Sequence, residues 1–248
     1  MRKRLNLVLA MLSCAALAGH ASADILGTAQ AFAVLGGSTV TNTGPSVMTG
    51  DLGVWPGLSI TGLPPGNVNG ATHAGTAFAQ QAQQDVTTAY NTLAGMASSQ
   101  NLTGTDLGGL TLTPGVYFFS SSAFLTGTLT LDAQGNPDAL FVFQIGSTLI
   151  SASNASVVTI NSADACDVYW QVGSSATLGT DTRFQGNILA LTSITLNTRA
   201  TLLEGRALAR NGAVTMDNNT ITGGCIPAPG TTSLLGATLL AAFGRRRR

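Results

Sequence analysis

A β-solenoid accompanied by one long helix is the fold class that this sequence predicts, and two observations predict it. The first is a repeat near the C-terminus, with blocks that start 19 residues apart at Val168, Asn187 and Arg206. Each block is rich in β-forming residues and closes on a glycine. A fixed period of about 20 residues with Gly, Asn and Asp between β-forming segments is typical of solenoids, whose coils bury a core by stacking.

Each repeat contains a second β-forming segment with a threonine at its centre: residues 175–179, 193–197 and 213–217. Residues 141–146 match residues 168–173 and predict a further coil, which carries an insertion around residues 162–167. Other short strands are predicted at residues 32–35, 38–41, 115–119, 125–131 and 139–144. Because a solenoid presents long regular faces, we expect function on a repeated surface rather than in a catalytic cleft.

The second observation is a single segment with helical periodicity, residues 75–93. Ala and Gln dominate this segment, and its apolar residues fall three or four apart, at Phe78, Ala82, Val86, Tyr90 and Leu93. That spacing predicts an amphipathic helix of about five turns, with Gly95 as its C-terminal stop. A lone helix with one apolar stripe should lie along one face of the solenoid and cover it.

The N-terminal segment, residues 1–23, reads as a secretory signal peptide. Basic residues 2–4 precede an apolar run, and Ala21 and Ala23 form a small-residue cleavage site before Asp24. A lipoprotein signal at Cys14 is the alternative. Export predicts a secreted or envelope-associated protein.

The C-terminal segment, residues 227–248, joins a Pro-containing motif to a short apolar run and four arginines. It resembles the PEP-CTERM class of bacterial sorting signals, although Ala228 stands where that class usually has Glu. The resemblance implies a bacterial protein that the export and sorting machinery processes through both of its ends. The alternative is a tail anchor. It would be weak, because the apolar run is shorter than the roughly 20 residues needed to span a bilayer.

The predicted solenoid domain, residues 24–226, is acidic. It contains no Lys and four Arg against eleven acidic residues. This balance argues against nucleic acid and anionic membranes as partners.

The domain retains two cysteines, Cys166 and Cys225, which flank the repeats. In an exported protein a disulfide between them is expected, and two free thiols are the alternative.

No residues form a catalytic or metal-binding motif, so we expect neither an enzyme nor a cofactor. His73 is the one histidine of the domain, and it is interpreted as a cap or turn residue near the helix. Asp164, Asp167, Asp181 and Arg183 are close in sequence, but they flank a loop and are expected to be solvated.

Five ordered motifs and the Gln-rich helix carry a family resemblance: residues 38–45, 50–53, 113–117, 170–177 and 206–210. Together they resemble the microbial ice-binding proteins, over residues 25–222. The resemblance implies a mainly β fold, a right-handed discontinuous β-solenoid of triangular cross-section with one long helix packed alongside. A scaffold does not dictate what its faces bind, so the site needs its own argument.

In active members of that family, a flat face repeats a motif of Thr, then Ala or Gly, any residue, and Thr or Asn. The resemblance implies partial matches here at residues 153–156, 180–183, 198–201 and 217–220. The expected ice-contacting residues are Ser153, Ser156, Thr180, Thr182, Thr198, Thr201 and Thr220. Arg183 and Arg199 interrupt the pattern, and Arg199 is expected to limit ice binding because a hydrated cation disturbs an ordered water layer.

Two functions therefore remain open at the level of sequence. One is an exported, monomeric, antifreeze-like protein that adsorbs to ice through a Thr-containing face and restrains ice growth or recrystallisation. The other is an envelope or matrix protein that uses the same scaffold to adhere to extracellular polysaccharide or to itself, without ice activity.

Overall fold

Three parallel β-sheets enclose the core of the protein. The computed structural model describes residues 25–223, so the predicted signal peptide, the predicted sorting segment and Cys225 lie outside the described residues. The sheets have nine, seven and eight strands, and we call them sheets A, B and C. Within the described residues, no helix has both the length and the apolar character needed to cross a membrane.

In spatial order, sheet A consists of β7 (Thr72–Ala74), β4 (Asp51–Val54), β1 (Phe32–Gly36), β22 (Ala207–Ala209), β19 (Asn187–Ala190), β16 (Val168–Val172), β13 (Phe141–Ile145), β10 (Gly115–Phe119) and β8 (Gln100–Asn101). Sheet B consists of β11 (Ala123–Leu125), β14 (Leu149–Ser151), β17 (Ala176–Leu178), β20 (Ile194–Leu196), β23 (Val214–Asp217), β2 (Thr39–Thr43) and β5 (Ser59–Thr61). Sheet C consists of β6 (Asn67–Asn69), β3 (Val47–Thr49), β24 (Thr220–Thr222), β21 (Thr201–Leu203), β18 (Arg183–Gln185), β15 (Ser156–Ile160), β12 (Thr128–Asp132) and β9 (Thr111–Leu112).

The stacking order of the coils is not the order of the chain. Strand β1 pairs with β22 on one side and with β4 on the other, so the N-terminal coils stack on the last C-terminal coil. The predicted repeats are confirmed, because β16, β19 and β22 follow one another in register, and β13 pairs with β16 as the sequence match requires. The fold class, a discontinuous β-solenoid with one long helix, is therefore confirmed.

Close stacking at one corner explains why the repeats close on glycine. A Cβ atom on Gly205 would lie 2.0 Å from the carbonyl oxygen of Gly186 in the neighbouring coil, which no side chain can accommodate. Gly186 itself has φ +95°, a conformation that L residues rarely adopt. Glycine at this corner thus allows the coils to approach one another closely.

The predicted helix is confirmed as α1, Ala77–Ala94, with Thr76 as its N-cap and Gly95 as its C-cap. The Thr76 hydroxyl accepts a hydrogen bond from the Ala79 N–H (3.2 Å). Four of the five predicted stripe residues are buried, but Phe78 is 38% exposed and stacks on Phe32 at 5.3 Å. Phe78 lies in the first turn of the helix, next to β1 and the edge strand β7 of sheet A, where its ring also contacts His73.

Helix α1 covers the outer face of sheet A, as predicted. Its apolar stripe packs against Val142, Tyr169, Leu189 and Leu208, which project outward from the sheet. Buried polar groups fix the contact: Gln83 Nε2 donates to the Ala209 carbonyl (3.0 Å), and Gln144 Nε2 donates to the Leu93 carbonyl (2.7 Å). Since sheet A is covered, sheets B and C supply the open faces of the solenoid.

The interior is filled by aliphatic side chains and by an aromatic stack of four residues that crosses three coils. The ring centroids of Tyr117 and Phe143 lie 5.4 Å apart, those of Phe143 and Trp170 3.9 Å, and those of Trp170 and Phe184 4.8 Å. The first three residues occupy the same register position in adjacent strands. Such stacking along the solenoid axis stiffens both open faces from within.

Cys166 precedes the internal strand β16 of sheet A, whereas His73 lies on the edge strand β7 of that sheet. Cys166 lies in a short 3₁₀ helix, Ala165–Asp167, and is disulfide-bonded. Its predicted partner falls outside the described residues, so the pairing with Cys225 stays a prediction. His73 lies in β7 rather than in a cap, with its ring against Phe78 at 5.0 Å and its Nε2 3.4 Å from an Asp51 carboxylate oxygen.

Candidate functional site

The two open faces have the geometry of repeated surfaces. Side chains alternate along each strand, so every coil contributes apolar residues to the core and polar residues to the outside. In the coil that contains β20 and β21, Ile194, Leu196 and Leu202 are buried, whereas Thr195 and Thr201 face outward. Stacking repeats each outward position from coil to coil, and the result is a ladder of equivalent side chains.

Sheet B carries a ladder of five threonines at the centre of its outer face. They occupy one register position in adjacent strands, in the spatial order Thr177, Thr195, Thr215, Thr41 and Thr61. We call this set the Thr ladder. Beyond Thr177 the same position is held by Ile150 and then by Phe124, which are 36% and 47% exposed.

A second row of small side chains runs beside the Thr ladder. Its members precede by two residues the side chains at the ladder position, which are the five threonines, Ile150 and Phe124. The members of the row are Ser122, Thr148, Ser175, Ser193, Ala213, Thr39 and Ser59. The Ser122 and Thr148 hydroxyls are hydrogen-bonded at 2.7 Å. Neither row contains a charged residue. Sheet B therefore offers two parallel rows of small, mostly hydroxyl-bearing side chains.

The corner between sheets B and C is held by backbone conformation and by a buried amide. Asn154, Asp181, Arg199 and Asn218 adopt the left-handed conformation there, with φ between 52° and 61°. Asn and Asp tolerate this conformation well, whereas Arg is unusual in it. In the last C-terminal coil, Asn219 Nδ2 donates to the carbonyls of Asn197 (2.8 Å) and Ala200 (2.9 Å), which ties adjacent corners together.

Sheet C differs from sheet B in the character of its outward ladder. One register position carries, in spatial order, Thr128, Ser156, Arg183, Thr201, Thr220, Val47 and Asn67. Arg183 is exposed in the middle of this row. Val158 and Leu203, two positions further along their strands, are 39% and 37% exposed. Charge, amide and aliphatic groups are therefore mixed on this face.

The seven residues expected to contact ice do not share one face. Ser156, Thr201 and Thr220 face outward on sheet C, where Arg183 interrupts their ladder. Ser153, Thr180 and Thr198 lie at the corner between sheets B and C, outside the strands of either sheet. The Thr198 hydroxyl donates to the Asp217 carboxylate, which occupies the corner end of β23.

The prediction for Thr182 is wrong, because this side chain is fully buried. Its hydroxyl donates to the Ala152 carbonyl (3.0 Å) and lies 2.9 Å from the Ser151 hydroxyl. Thr182 thus satisfies polar groups inside the corner and is closed to any external ligand.

Arg199 lies at the corner and not within a ladder. Its Nε and Nη2 donate to the two carboxylate oxygens of Asp181, both at 2.7 Å. These hydrogen bonds lower the pKa of Asp181 and raise that of Arg199. Both side chains are exposed, so the pair orients the Arg199 guanidinium without contributing much to stability.

No group of three or more His, Cys, Asp or Glu residues within residues 25–223 is placed to hold a metal ion. The outer faces of sheets B and C have the geometry of extended, repeated surfaces. Comparison with known proteins gives the family: the family model described as "Ice-binding-like" matches residues 34–222, most of the chain.

The chain belongs to the ice-binding-like family. An ice-binding protein of Nostoc sp. (strain HG1) is 59% identical over 241 residues, which cover 92% of this chain and 89% of that protein. The crystal structure of an ice-binding protein from an Antarctic biological consortium has a TM-score of 0.77 at 53% identity and covers 79% of this chain and 89% of its own. An ice-binding protein of the Antarctic ascomycete Antarctomyces psychrotrophicus has a TM-score of 0.77 at 40% identity, with coverage of 79% and 96%.

Reasoning from the sequence missed the Thr ladder as a candidate site, although its signal is visible in the repeats. Thr177, Thr195 and Thr215 are the central threonines of the second β-forming segment in each of the three repeats. Each is flanked by two apolar residues, so period-two alternation alone turns the threonine outward. Thr41 follows the apolar Val40 but precedes Asn42, and Thr61 lies among turn residues, so the alternation is harder to see at these two positions.

Proposed function

We propose that this chain is an ice-binding protein that adsorbs to ice through the outer face of sheet B and so restrains ice growth or recrystallisation. The observation that carries the assignment of the face is the Thr ladder, five threonines at one register position in five adjacent strands. Membership of the ice-binding-like family and the relatives named as ice-binding proteins support the activity itself.

The Thr ladder suits a crystalline water surface for three physical reasons. Adjacent strands lie about 4.8 Å apart, so the hydroxyls and methyls repeat at a fixed interval. Threonine is β-branched, which restricts its χ1 rotamers and keeps the array ordered before it meets ice. The flanking row consists of small side chains, and on the other side of the ladder the Asp217 carboxylate is hydrogen-bonded by Thr198 at the corner end of β23. Together these features let the face order a layer of water without a pocket.

Sheet C and its corner with sheet B form the second candidate surface, since they hold the residues expected from the family motif. Arg183 lies in the middle of its outward ladder, and the Arg199–Asp181 pair lies at its edge. Water next to a guanidinium or carboxylate orients toward the charge rather than toward a lattice. We therefore assign the ice-contacting role to sheet B.

A matched pair of substitutions in one coil tests this assignment. Thr215 on β23 and Thr220 on β24 are both exposed threonines at the outward ladder positions of sheets B and C. Partition of the full-length protein into a slowly growing ice hemisphere should be lost in Thr215→Tyr and retained in Thr220→Tyr. The reverse pattern would assign the activity to sheet C, and a wild type excluded from ice would refute the proposed function.

We also propose that the protein acts outside the cytoplasm, because residues 1–23 have the features of a signal peptide. Residues 227–248 would then direct sorting at the bacterial envelope, and Cys166 would pair with Cys225 in the oxidising compartment. Peptide mapping of secreted protein under non-reducing conditions tests both statements. It should find Asp24 as the first residue and a Cys166–Cys225 cross-linked peptide, and a different partner of Cys166 would refute the pairing.

A further inference from the structure

The exposed arginines of the described chain are concentrated in one groove. Of the four arginines in residues 25–223, Arg183 and Arg199 are exposed, and both line this groove beside the corner of sheet C. Arg206 is buried and donates to Asn187 and to the Gln30 carbonyl, and Arg210 lies over the Tyr90 ring. The groove has a volume of about 470 Å³ and is lined by Asn154, Ser156, Asp181, Arg183, Arg199 and Thr201.

The two arginines of the groove differ in what they bind. Asp181 accepts hydrogen bonds from Nε and Nη2 of Arg199, and these leave Nη1 of this groove-lining residue outside the pair. The Arg183 guanidinium has no hydrogen-bond acceptor or ion-pair partner among the residues that the structure describes. An unpaired guanidinium presents a planar fork of donors that matches a carboxylate in two-pronged geometry.

The surroundings of Arg183 suit a sugar polymer better than a small inorganic anion. Ser156 and Thr201 flank Arg183 in the outward ladder, and Asn154 adds an amide, so hydroxyl and amide groups surround the charge. On the same face, Val158 and Leu203 expose aliphatic surface. A sugar ring carries hydroxyls at its rim and C–H groups on its faces, and this surface offers partners for both.

We propose that this groove binds a carboxylate-bearing polysaccharide, with Arg183 taking the carboxylate of a uronate unit. The domain is acidic overall, but its two exposed arginines both line this groove, so positive charge is available to an anionic polymer here. Arg199 Nη1, Asn154 and the two hydroxyls then bind the same unit and its neighbours along sheet C. The site is separate from the Thr ladder, because it occupies a different face of the solenoid. One molecule can therefore hold ice through sheet B and an acidic matrix polymer through sheet C.

Affinity electrophoresis of the full-length protein in gels containing polygalacturonate tests the proposal, with dextran as the neutral control polymer. Wild type should be retarded by polygalacturonate and not by dextran. Arg183→Gln should weaken binding by about tenfold, as expected for loss of one charge-assisted pair. Asp181→Asn should strengthen it, because this change releases Arg199 from its carboxylate partner.

A charge-matched control separates a defined site from general attraction. Asp138 is an exposed residue of the 132–138 turn, and Asp138→Asn changes the net charge by the same unit as Asp181→Asn. Retardation should be unaltered in Asp138→Asn. Equal effects of the two changes, or equal retardation of wild type and Arg183→Gln, would overturn the proposal. So would equal affinity for free galacturonate and for the polymer, since the polymer was inferred from the extended surface.

Ice partition of the Arg183→Gln variant keeps this inference distinct from the proposed function. The variant should enter ice as wild type does, because Arg183 projects from sheet C and the Thr ladder from sheet B. A protein that binds polygalacturonate through Arg183 but is excluded from ice would support the groove and refute the ice-binding face.

Discussion

Sheets B and C are built by the same coils and differ only in what those coils project outward. In each coil a few residues separate the two strands, and both strands bury their alternate side chains in one core. Sheet B then displays Thr177, Thr195 and Thr215 at positions where sheet C displays Arg183, Thr201 and Thr220. The scaffold therefore sets the spacing of a face, and the outward residues set its chemical character.

The core permits this independence of the two faces. The inward side chains of β20, Ile194 and Leu196, and that of β21, Leu202, are fully buried or nearly so. Burial of such residues stabilises the coil by roughly 1.5–3 kcal/mol each, whatever projects from the other side. Outward positions can therefore change without loss of the fold, and single substitutions can exchange the properties of the two faces.

Placing an arginine on sheet B, like the one that sheet C carries, should have the largest effect on ice affinity. Thr177 and Arg183 lie in the same coil, on β17 and β18. Thr177→Arg should lower ice affinity by roughly tenfold or more, since desolvating an unpaired charge costs well over the ~1.4 kcal/mol that a tenfold change represents. Ice-recrystallisation inhibition by Thr177→Arg and by Arg183→Thr measures the contrast. Equal loss in both variants would contradict it.

Extending the Thr ladder should have a smaller effect in the opposite direction. Ile150 occupies the ladder position next to Thr177 and is 36% exposed. Ile150→Thr lengthens the array from five threonines to six, so we expect a modest rise in thermal hysteresis at equal concentration. The control is Val158→Thr, a comparable change on sheet C, which should leave hysteresis unchanged. Lower thermal hysteresis in Ile150→Thr would mean that the aliphatic side chain next to Thr177 itself contacts ice.

Removing the Arg199 side chain from the corner between sheets B and C should have little effect on ice-recrystallisation inhibition. The sequence alone predicts that Arg199→Gly raises ice-recrystallisation inhibition, but Arg199 lies outside the Thr ladder and its guanidinium pairs with Asp181. We therefore expect a change well below that of Thr177→Arg. Glycine tolerates the φ of 60° at this residue, which offsets the lost surface ion pair, so stability should shift by less than about 1 kcal/mol. A large gain in ice-recrystallisation inhibition would show that the corner is part of the ice-binding face.

Acid should weaken the attachment of the helix that covers sheet A and leave the uncharged Thr ladder of sheet B unchanged. Burial acts to raise the pKa of Asp85, but hydrogen bonds from the Thr28 hydroxyl (2.6 Å) and N–H (2.7 Å) and from Gln81 (2.9 Å) lower it overall. A carboxyl group whose pKa is lower in the folded than in the unfolded state stabilises the fold at pH values above its unfolded pKa, which is about 3.9 for Asp. This stabilisation is lost as the pH falls through the pKa of the folded state. Asp85→Asn should lower the melting temperature at pH 7 by about 2–4 °C, with a smaller difference below pH 3. Its ice activity at 0 °C should equal that of wild type.

The repeats and the helix could be predicted because their signals are local. A 19-residue period and one 3.6-residue period survive in the sequence whatever the neighbours are. The discontinuity is different, because pairing of β1 with β22 joins segments about 170 residues apart, and only the family resemblance predicted it. The sequence could not reveal that Thr182 is buried, because its partners Ser151 and Ala152 belong to the preceding coil.

The sequence-based prediction of the site gave more weight to a linear motif than to alternation along the strands, and this is why it includes the buried Thr182 and omits the Thr ladder. The Thr-x-x-Thr spacing of residues 198–201 spans a corner, so its two threonines face different directions. The Thr ladder instead comes from one residue per coil, at about 20-residue intervals, and becomes a surface only when the coils stack. Sequence patterns can indicate such a ladder, but the register between strands is needed to establish it.

Ice is proposed to contact sheet B and not sheet C. The coil that carries Thr195 on sheet B and Thr201 on sheet C allows the two faces to be compared by thermal hysteresis. Both threonines are partly buried and face outward. They lie on β20 and β21, which follow one another in the same coil but belong to sheets B and C. Thermal hysteresis should be abolished in Thr195→Tyr and preserved in Thr201→Tyr, with unchanged circular dichroism in both. Full activity in Thr195→Tyr together with loss in Thr201→Tyr would contradict the account.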